Sequence, residues 1–135
     1  MDEGTVCLCG SGQIYDLCCG LYHSGKKYPD TAETLMRSRF TAFALHNKAY
    51  LLSTWEVSKR PSTVDFSKSE IKWSRLDIVK CKKGGSGDKK GLVQFKAYYS
   101  QRGEEYILNE TSRFRKVRGR WYYLDGMVNS IASGA

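Results

Sequence analysis

The sequence predicts an α+β chain in which a cysteine-rich knuckle is followed by helices and then by an antiparallel sheet of about four strands. Three observations predict it. Four of the five cysteines fall between residues 7 and 19 among glycines, in a stretch with no helical or strand period. Residues 30–55 repeat apolar side chains every three or four positions, the period of helices with one buried face. Residues 75–126 alternate apolar and polar side chains and are cut by tight-turn pairs, the pattern of half-buried strands. Helices first and strands after, without alternation, indicate α+β organisation. The expected boundaries are a knuckle over residues 1–25 and one α+β domain over 26–135.

The helical section opens at Pro29-Asp30, with Glu33 three residues beyond Asp30. That spacing places the Asp30 side chain to cap the free N–H groups of the first turn. Leu35, Met36, Phe40, Phe43 and Ala44 form one apolar stripe, while Arg37, Ser38 and Thr41 fall mostly on the other side. His46-Asn47 reads as the helix end, because Asn tolerates left-handed backbone and His is favourable at the negative end of the dipole. Residues 49–55 read as a short second helix that offers Leu51, Leu52 and Trp55 to the same core.

Among the strands, Val93, Phe95, Ala97 and Tyr99 share one face, with Gln94 and Lys96 on the other. Tyr106, Leu108 and Phe114 repeat the pattern after a turn at Gln101-Arg102-Gly103. Arg118-Gly119 then turns the chain into Trp121-Tyr122-Tyr123-Leu124. With Leu76-Asp77-Ile78-Val79 as the first member, four antiparallel strands follow in meander order. Alternation puts Glu110 and Ser112 on the face of Leu108, unless a bulge between Leu108 and Phe114 reverses it. A carboxylate there has two readings. It is an acid–base group with a raised pKa, or one half of an ion pair with Arg37, Arg39 or Arg113, which is the preferred reading because buried charges are usually paired.

Trp55, Trp73 and Trp121 read as packing residues, and Cys81 as a small buried hydrophobe. No Ser-His-Asp pattern, phosphate loop or dinucleotide fingerprint is present, and no catalytic residue is assigned.

Hydrophobic content of 41% and aromatic content of 13% exclude a disordered chain. No apolar run approaches the roughly 18 residues of a membrane span. Met1-Asp2-Glu3-Gly4 is acidic and lacks the layout of a secretory signal, so the expected location is the cytoplasm. There, clustered thiols favour metal over disulfides. The net charge of +8 is concentrated: residues 59–120 hold 17 Lys/Arg against seven Asp/Glu. Such a basic body attracts RNA, acidic proteins or lipid head groups, or simply keeps the chain soluble.

The cysteine segment runs Cys7-Leu8-Cys9-Gly10-Ser11-Gly12-Gln13-Ile14-Tyr15-Asp16-Leu17-Cys18-Cys19-Gly20. Two thiols lie two residues apart and two more are adjacent, joined by a loop long enough to fold back. Structural zinc takes four tetrahedral ligands, with thiolate sulfur at about 2.3 Å. Gly10 and Gly12 let the backbone curl so that N–H groups point at the sulfurs. Neither Cys7 with Cys9 nor Cys18 with Cys19 bridges comfortably as a disulfide. An iron–sulfur cluster also accepts four cysteines, and the Cys-x-x-Cys spacing of thioredoxin-like redox sites is absent. The reading is one structural zinc ion on Cys7, Cys9, Cys18 and Cys19, with His23 as an alternative fourth ligand.

Cys7-x-Cys9-x-Ser11-Gly12-x-x-Tyr15-x-x-Cys18-Cys19-Gly20 resembles the SEC-C motif, found at the C-terminus of the translocase motor SecA and in many small bacterial proteins. In SecA the last ligand is a His at the place of Cys19, so the resemblance implies Cys19 rather than His23 as a ligand. Leu8 stands where the motif usually has Pro, which leaves the ligands intact. Further blocks are similar to the YchJ family. They are Gly20-Leu21-Tyr22-His23-Ser24-Gly25, residues 31–43, Tyr50-Leu51-Leu52-x-Thr54-Trp55, Glu110-x-Ser112-Arg113-Phe114 and Trp121-Tyr122-Tyr123-x-Asp125-Gly126. The resemblance implies a nuclear transport factor 2-like (NTF2-like) cone, a curved sheet wrapped on helices, behind the knuckle, and no particular activity.

A closed four-ligand site has no open position for substrate. The leading functional reading is therefore a zinc-bearing module whose knuckle meets a protein or ribosomal partner. Two others remain: a small-molecule-binding or isomerase/hydratase-like enzyme using the cone, and RNA binding through the basic sheet face.

Overall fold

The computed structural model describes residues 5–67 and 69–133. The acidic N-terminal residues 1–4 lie outside the described residues. A 3-10 turn, Tyr15–Leu17, leads into α1 (Cys19–His23). It is followed by α2 (Ala32–Ala44), α3 (Lys48–Ser53) and strands β1 (Ile71–Lys83), β2 (Lys90–Gln101), β3 (Glu104–Val117) and β4 (Arg120–Ser133). The strands form one antiparallel sheet in the order β1-β2-β3-β4. The α+β class and the meander follow the sequence reading, with strands longer than the motifs alone marked.

Two hairpins close through paired left-handed residues, Arg102-Gly103 and Arg118-Gly119. Two consecutive positive φ values match the twist of flanking strands. The sheet curls because its edges, not its centre, carry extra residues. The β2–β3 register is unbroken from Lys90↔Arg115 to Gln101↔Glu104. In β1, Ser74 and Val79 are extra against β2, and in β4, Leu124 and Asn129 are extra against β3. Bulges bend a strand and increase its twist, so both edges fold toward one face.

That concave face holds α2. Leu35, Met36 and Phe40 meet Val93, Phe95 and Phe114 in the main core. Trp121 closes it from β4, donating its indole N–H to the Asp30 carbonyl at 3.0 Å. The N-cap of α2 is Thr31, one residue beyond the expected Asp30, and its Oγ1 accepts from Thr34 N. Glu33 instead pairs with Arg37 one turn on. At the other end, His46 takes the left-handed backbone, and Asn47 caps α3 by accepting from Tyr50 N.

Ser38, Arg39 and Thr41 are buried, as are Leu35, Met36 and Phe40 of the apolar stripe, while Phe43 and Ala44 are half-buried. The single-stripe reading of α2 is thus corrected. The helix lies between the sheet on one side and the knuckle and α3 on the other, so Ser38 and Thr41 are covered rather than solvated.

The start of α2 docks on the β1–β2 hairpin through three small residues. Ala32 N donates to the Gly84 carbonyl at 2.9 Å. A Cβ on Gly91 would stand 2.6 Å from Gly84 Cα and 3.0 Å from Ala32 Cβ. Gly91→Ala is expected to cost about 1–3 kcal/mol, the range for overpacking against backbone, read as a lower urea midpoint. Gly87, with nothing within 4 Å of its missing Cβ, is the control position and should change little.

Candidate metal centre

Residues 5–25 fold as a short hairpin and two helical turns. Val6 bridges Ile14, Cys7 N donates to Gln13 O, and Tyr15 N donates to Thr5 O. Gly10 and Gly12, with φ of 88° and 84°, turn the chain between them. The 3-10 turn then reverses it, so that Cys18 and Cys19 arrive opposite Cys7 and Cys9. The four sulfurs lie within 4.8 Å of one another. Four thiolates on one tetrahedral ion stand about 3.8 Å apart, from a metal–sulfur bond of about 2.3 Å, so the cluster has the size of a single-ion site.

Cys7, Cys9 and Cys19 are buried, and Cys18 is partly open. Ser11 Oγ accepts from Gln13 N at 3.2 Å, which leaves its proton for Cys18 Sγ at 3.0 Å. Cys9 Sγ and Cys18 Sγ are 3.5 Å apart. Burial pushes the Cys18 thiol up to about 11. The neighbouring Cys7 and Cys9 thiols hold Cys19 well above the usual range, while the Cys19 contact holds Cys7 well below it. Four thiols this close ionise at one another's expense; a cation among them removes the conflict.

Helix α2 forms the back wall of the cluster. Cys7 Sγ lies 3.7 Å from Thr41 Oγ1, and Cys19 Sγ lies 3.6 Å from the Arg37 carbonyl. The Arg37 guanidinium donates to the Cys9 carbonyl through Nη1. Leu8 packs against the main core. The covering role of Arg37 and Thr41 carried no sequence signal, because both read as outward helix positions.

His23 does not face the sulfurs. Its Nε2 donates to the Ser38 carbonyl at 2.8 Å, which fixes the tautomer, and its Nδ1 accepts from Tyr15 Oη at 2.7 Å. Both ring nitrogens are thus engaged within the fold. Ser38 Oγ donates to the Leu35 carbonyl at 2.9 Å and accepts from Tyr50 Oη at 2.6 Å, so one chain of hydrogen bonds ties the knuckle to α2 and α3.

Burial lowers the His23 pKa below its ordinary 6.5. The folded chain keeps this ring neutral while the unfolded chain protonates it. The stability it contributes is therefore complete above pH 6.5 and declines as pH falls below that. Between about pH 7.5 and 5.5 the melting temperature should fall further in the wild-type chain than in His23→Gln, with metal content checked at each pH. Parallel curves would contradict this.

The other candidate residues separate from the cluster. Cys81 is exposed on β1, a correction to the buried reading; its thiol donates to Glu33 Oε1 at 3.5 Å. His46 stacks on Phe66 at 4.3 Å. Glu110 and Ser112 do face the cone with Leu108, because the bulges fall in β4 and leave the alternation of β3 intact. The expected ion pair of Glu110 does not form: Arg37 pairs with Glu33, Arg113 with Asp125, and Arg39 donates to Leu51 O and Thr54 Oγ1.

Comparison with known proteins matches this architecture. Residues 31–126 match the family model described as "YchJ, middle NTF2-like domain". A UPF0225 protein of Corynebacterium glutamicum is 45% identical over 126 residues, spanning 93% of this chain and 99% of the relative. One from Streptomyces avermitilis is 42% identical over 92% of this chain and 85% of the relative. Among solved structures, a SEC-C motif containing protein from Rhodopseudomonas palustris superposes with a TM-score of 0.80 at 33% identity, covering 92% of this chain and 98% of that one. A second, from Psychrobacter arcticus, gives 0.77 at 26% identity over 95% of this chain and 85% of that one. Knuckle, helices and curled sheet thus recur together along nearly the whole length, and the chain belongs to the YchJ (UPF0225) family.

Proposed function

We propose that Cys7, Cys9, Cys18 and Cys19 hold one structural zinc ion, and that the knuckle it shapes is the docking element for a protein or ribosomal partner. The observation that carries the metal assignment is the convergence of four sulfurs within 4.8 Å. An iron–sulfur cluster, with several irons and sulfides between the thiolates, would hold them farther apart than one ion does. Zinc suits an all-thiolate tetrahedral set and needs no open position. The likeness to SEC-C motif containing proteins supports the same choice.

The ion's task is to join parts. The knuckle is too short to bury a core of its own, and its cysteines pack on α2. Metal binding supplies the folding free energy such a segment lacks. On its outer side Val6 and Leu17 remain 57% and 62% exposed, as apolar side chains free to meet a partner. The test is capture of partners from a bacterial lysate on the zinc-loaded chain, on Leu17→Asp and on Cys18→Ser. Both variants are expected to lose the same partners, ribosomal or soluble. An unchanged captured set would refute the docking role.

A second reading, RNA binding, is favoured by one observation. Lys82, Lys83, Lys90 and Arg115 line a single depression of about 340 Å³ at one end of the sheet. Four phosphates neutralised there would make RNA affinity fall about 100-fold between 50 and 200 mM salt. A flat salt response would leave the positive charge to solubility.

A further inference from the structure

The cone is not filled. Between α2 and the sheet lies a cavity of about 210 Å³, room for about seven waters and smaller than a drug-sized site. Phe40, Trp73 and Phe95 give it apolar walls, and Arg39, Glu110 and Ser112 give it polar groups.

Arg39 is a buried cation with no ion-pair partner among the described residues. It is 2% exposed, and burial lowers its pKa only to about 10, so the guanidinium stays charged at neutral pH. Its Cζ lies 4.4 Å from the Tyr123 ring centroid, 5.1 Å from that of Trp55 and 6.0 Å from that of Phe43. Nη1 donates to the Leu51 carbonyl at 2.8 Å and to Thr54 Oγ1 at 2.7 Å. The aromatic faces offset part of the cost of burying this cation, and an anion would offset more.

Glu110, on the same cavity, does not supply it. Ser112 Oγ donates to its Oε2 at 3.1 Å, and burial raises its pKa. A Cβ on Gly126 would stand 2.6 Å from that oxygen, so the bare glycine makes room for the carboxyl where it is. The cavity therefore holds one fixed positive charge, one carboxyl held apart from it, and aromatic walls.

We infer that the cone binds a small, flat monocarboxylic acid, its carboxylate paired with Arg39 and its apolar body against Phe40 and Phe95. One negative charge is the limit, because a second would meet Glu110. The guanidinium is the group for this task, since its planar N–H fork matches a carboxylate.

The experiment is an NMR titration of the metal-loaded full chain with benzoate and with benzamide, which match in shape and differ in charge. Benzoate is expected to shift the indole N–H signals of Trp73 and Trp55 saturably, with benzamide about tenfold weaker, the ratio for one charge-assisted pair. Arg39→Met should bring benzoate down to the benzamide level, with folding checked by thermal melt. If that variant does not fold, Leu108→Trp, which fills the cavity from a half-buried position, should abolish both shifts. No saturable shift, equal affinity for the two probes, or shifts confined to the Lys82–Arg115 depression would each overturn the inference.

Discussion

Cys9→Ser is expected to release the metal and to unfold the knuckle while the sheet survives. Cys9 has no solvent exposure, so a serine there replaces a buried thiolate donor with a poorer one. The Arg37 contact to the backbone carbonyl of residue 9 is lost only if the knuckle unfolds. Structural zinc contributes about 10–16 kcal/mol to the folding of small zinc modules. Only part of that is expected to be read here, because the main core is built from α2 and the sheet. The expected signature is loss of one zinc in native mass, loss of amide protection over residues 5–25, and a melting temperature lower by many degrees. Cys81→Ser is the control: the cysteine is exposed and apart from the cluster, so metal is retained and stability should stay within about 0.5 kcal/mol. Equal effects of the two substitutions would refute the assignment of ligands.

Trp121→Ala is expected to cost about 3–5 kcal/mol, the range for removing a buried aromatic side chain. The indole is 3% exposed and belongs to the main core. It also supplies the donor for the Asp30 carbonyl just before the α2 cap. Trp121→Phe separates the two roles: the ring is largely replaced and the hydrogen bond lost, at about 1 kcal/mol for the bond itself. Urea unfolding of the three chains measures both steps. A loss for Trp121→Ala no larger than for Trp121→Phe would mean that the ring packs little and the hydrogen bond is the main tie.

The elements that the sequence made legible are those whose signal is local. Hairpin turns at Arg102-Gly103 and Arg118-Gly119 follow from two residues each, and the strand faces follow from a period of two that central strands β2 and β3 keep. The cysteine spacing likewise pointed to one cluster. What was not legible depends on which surfaces meet. Ser38 and Thr41 look like the solvated side of α2 until the knuckle covers them. Arg39 reads as a candidate partner of Glu110, and its enclosure by α3 and β4 carries no local signal. Glu110 was placed on the correct face, because the bulges lie in β4, but its partner is a matter of long-range distance, and an ion pair was expected where the fold keeps the charges apart. His23 could be read as a ligand from spacing alone. Its engagement by Tyr15 and Ser38 depends on how the knuckle seats on α2.

The zinc assignment is tested most directly by a native mass spectrum of the reduced, freshly purified chain beside the same sample under denaturing conditions. The expected native mass is higher by one zinc and lower by four protons, and the denatured mass is that of the reduced polypeptide. A metal-free native mass lighter by paired hydrogens, or one carrying iron and sulfide, would contradict a structural zinc on Cys7, Cys9, Cys18 and Cys19.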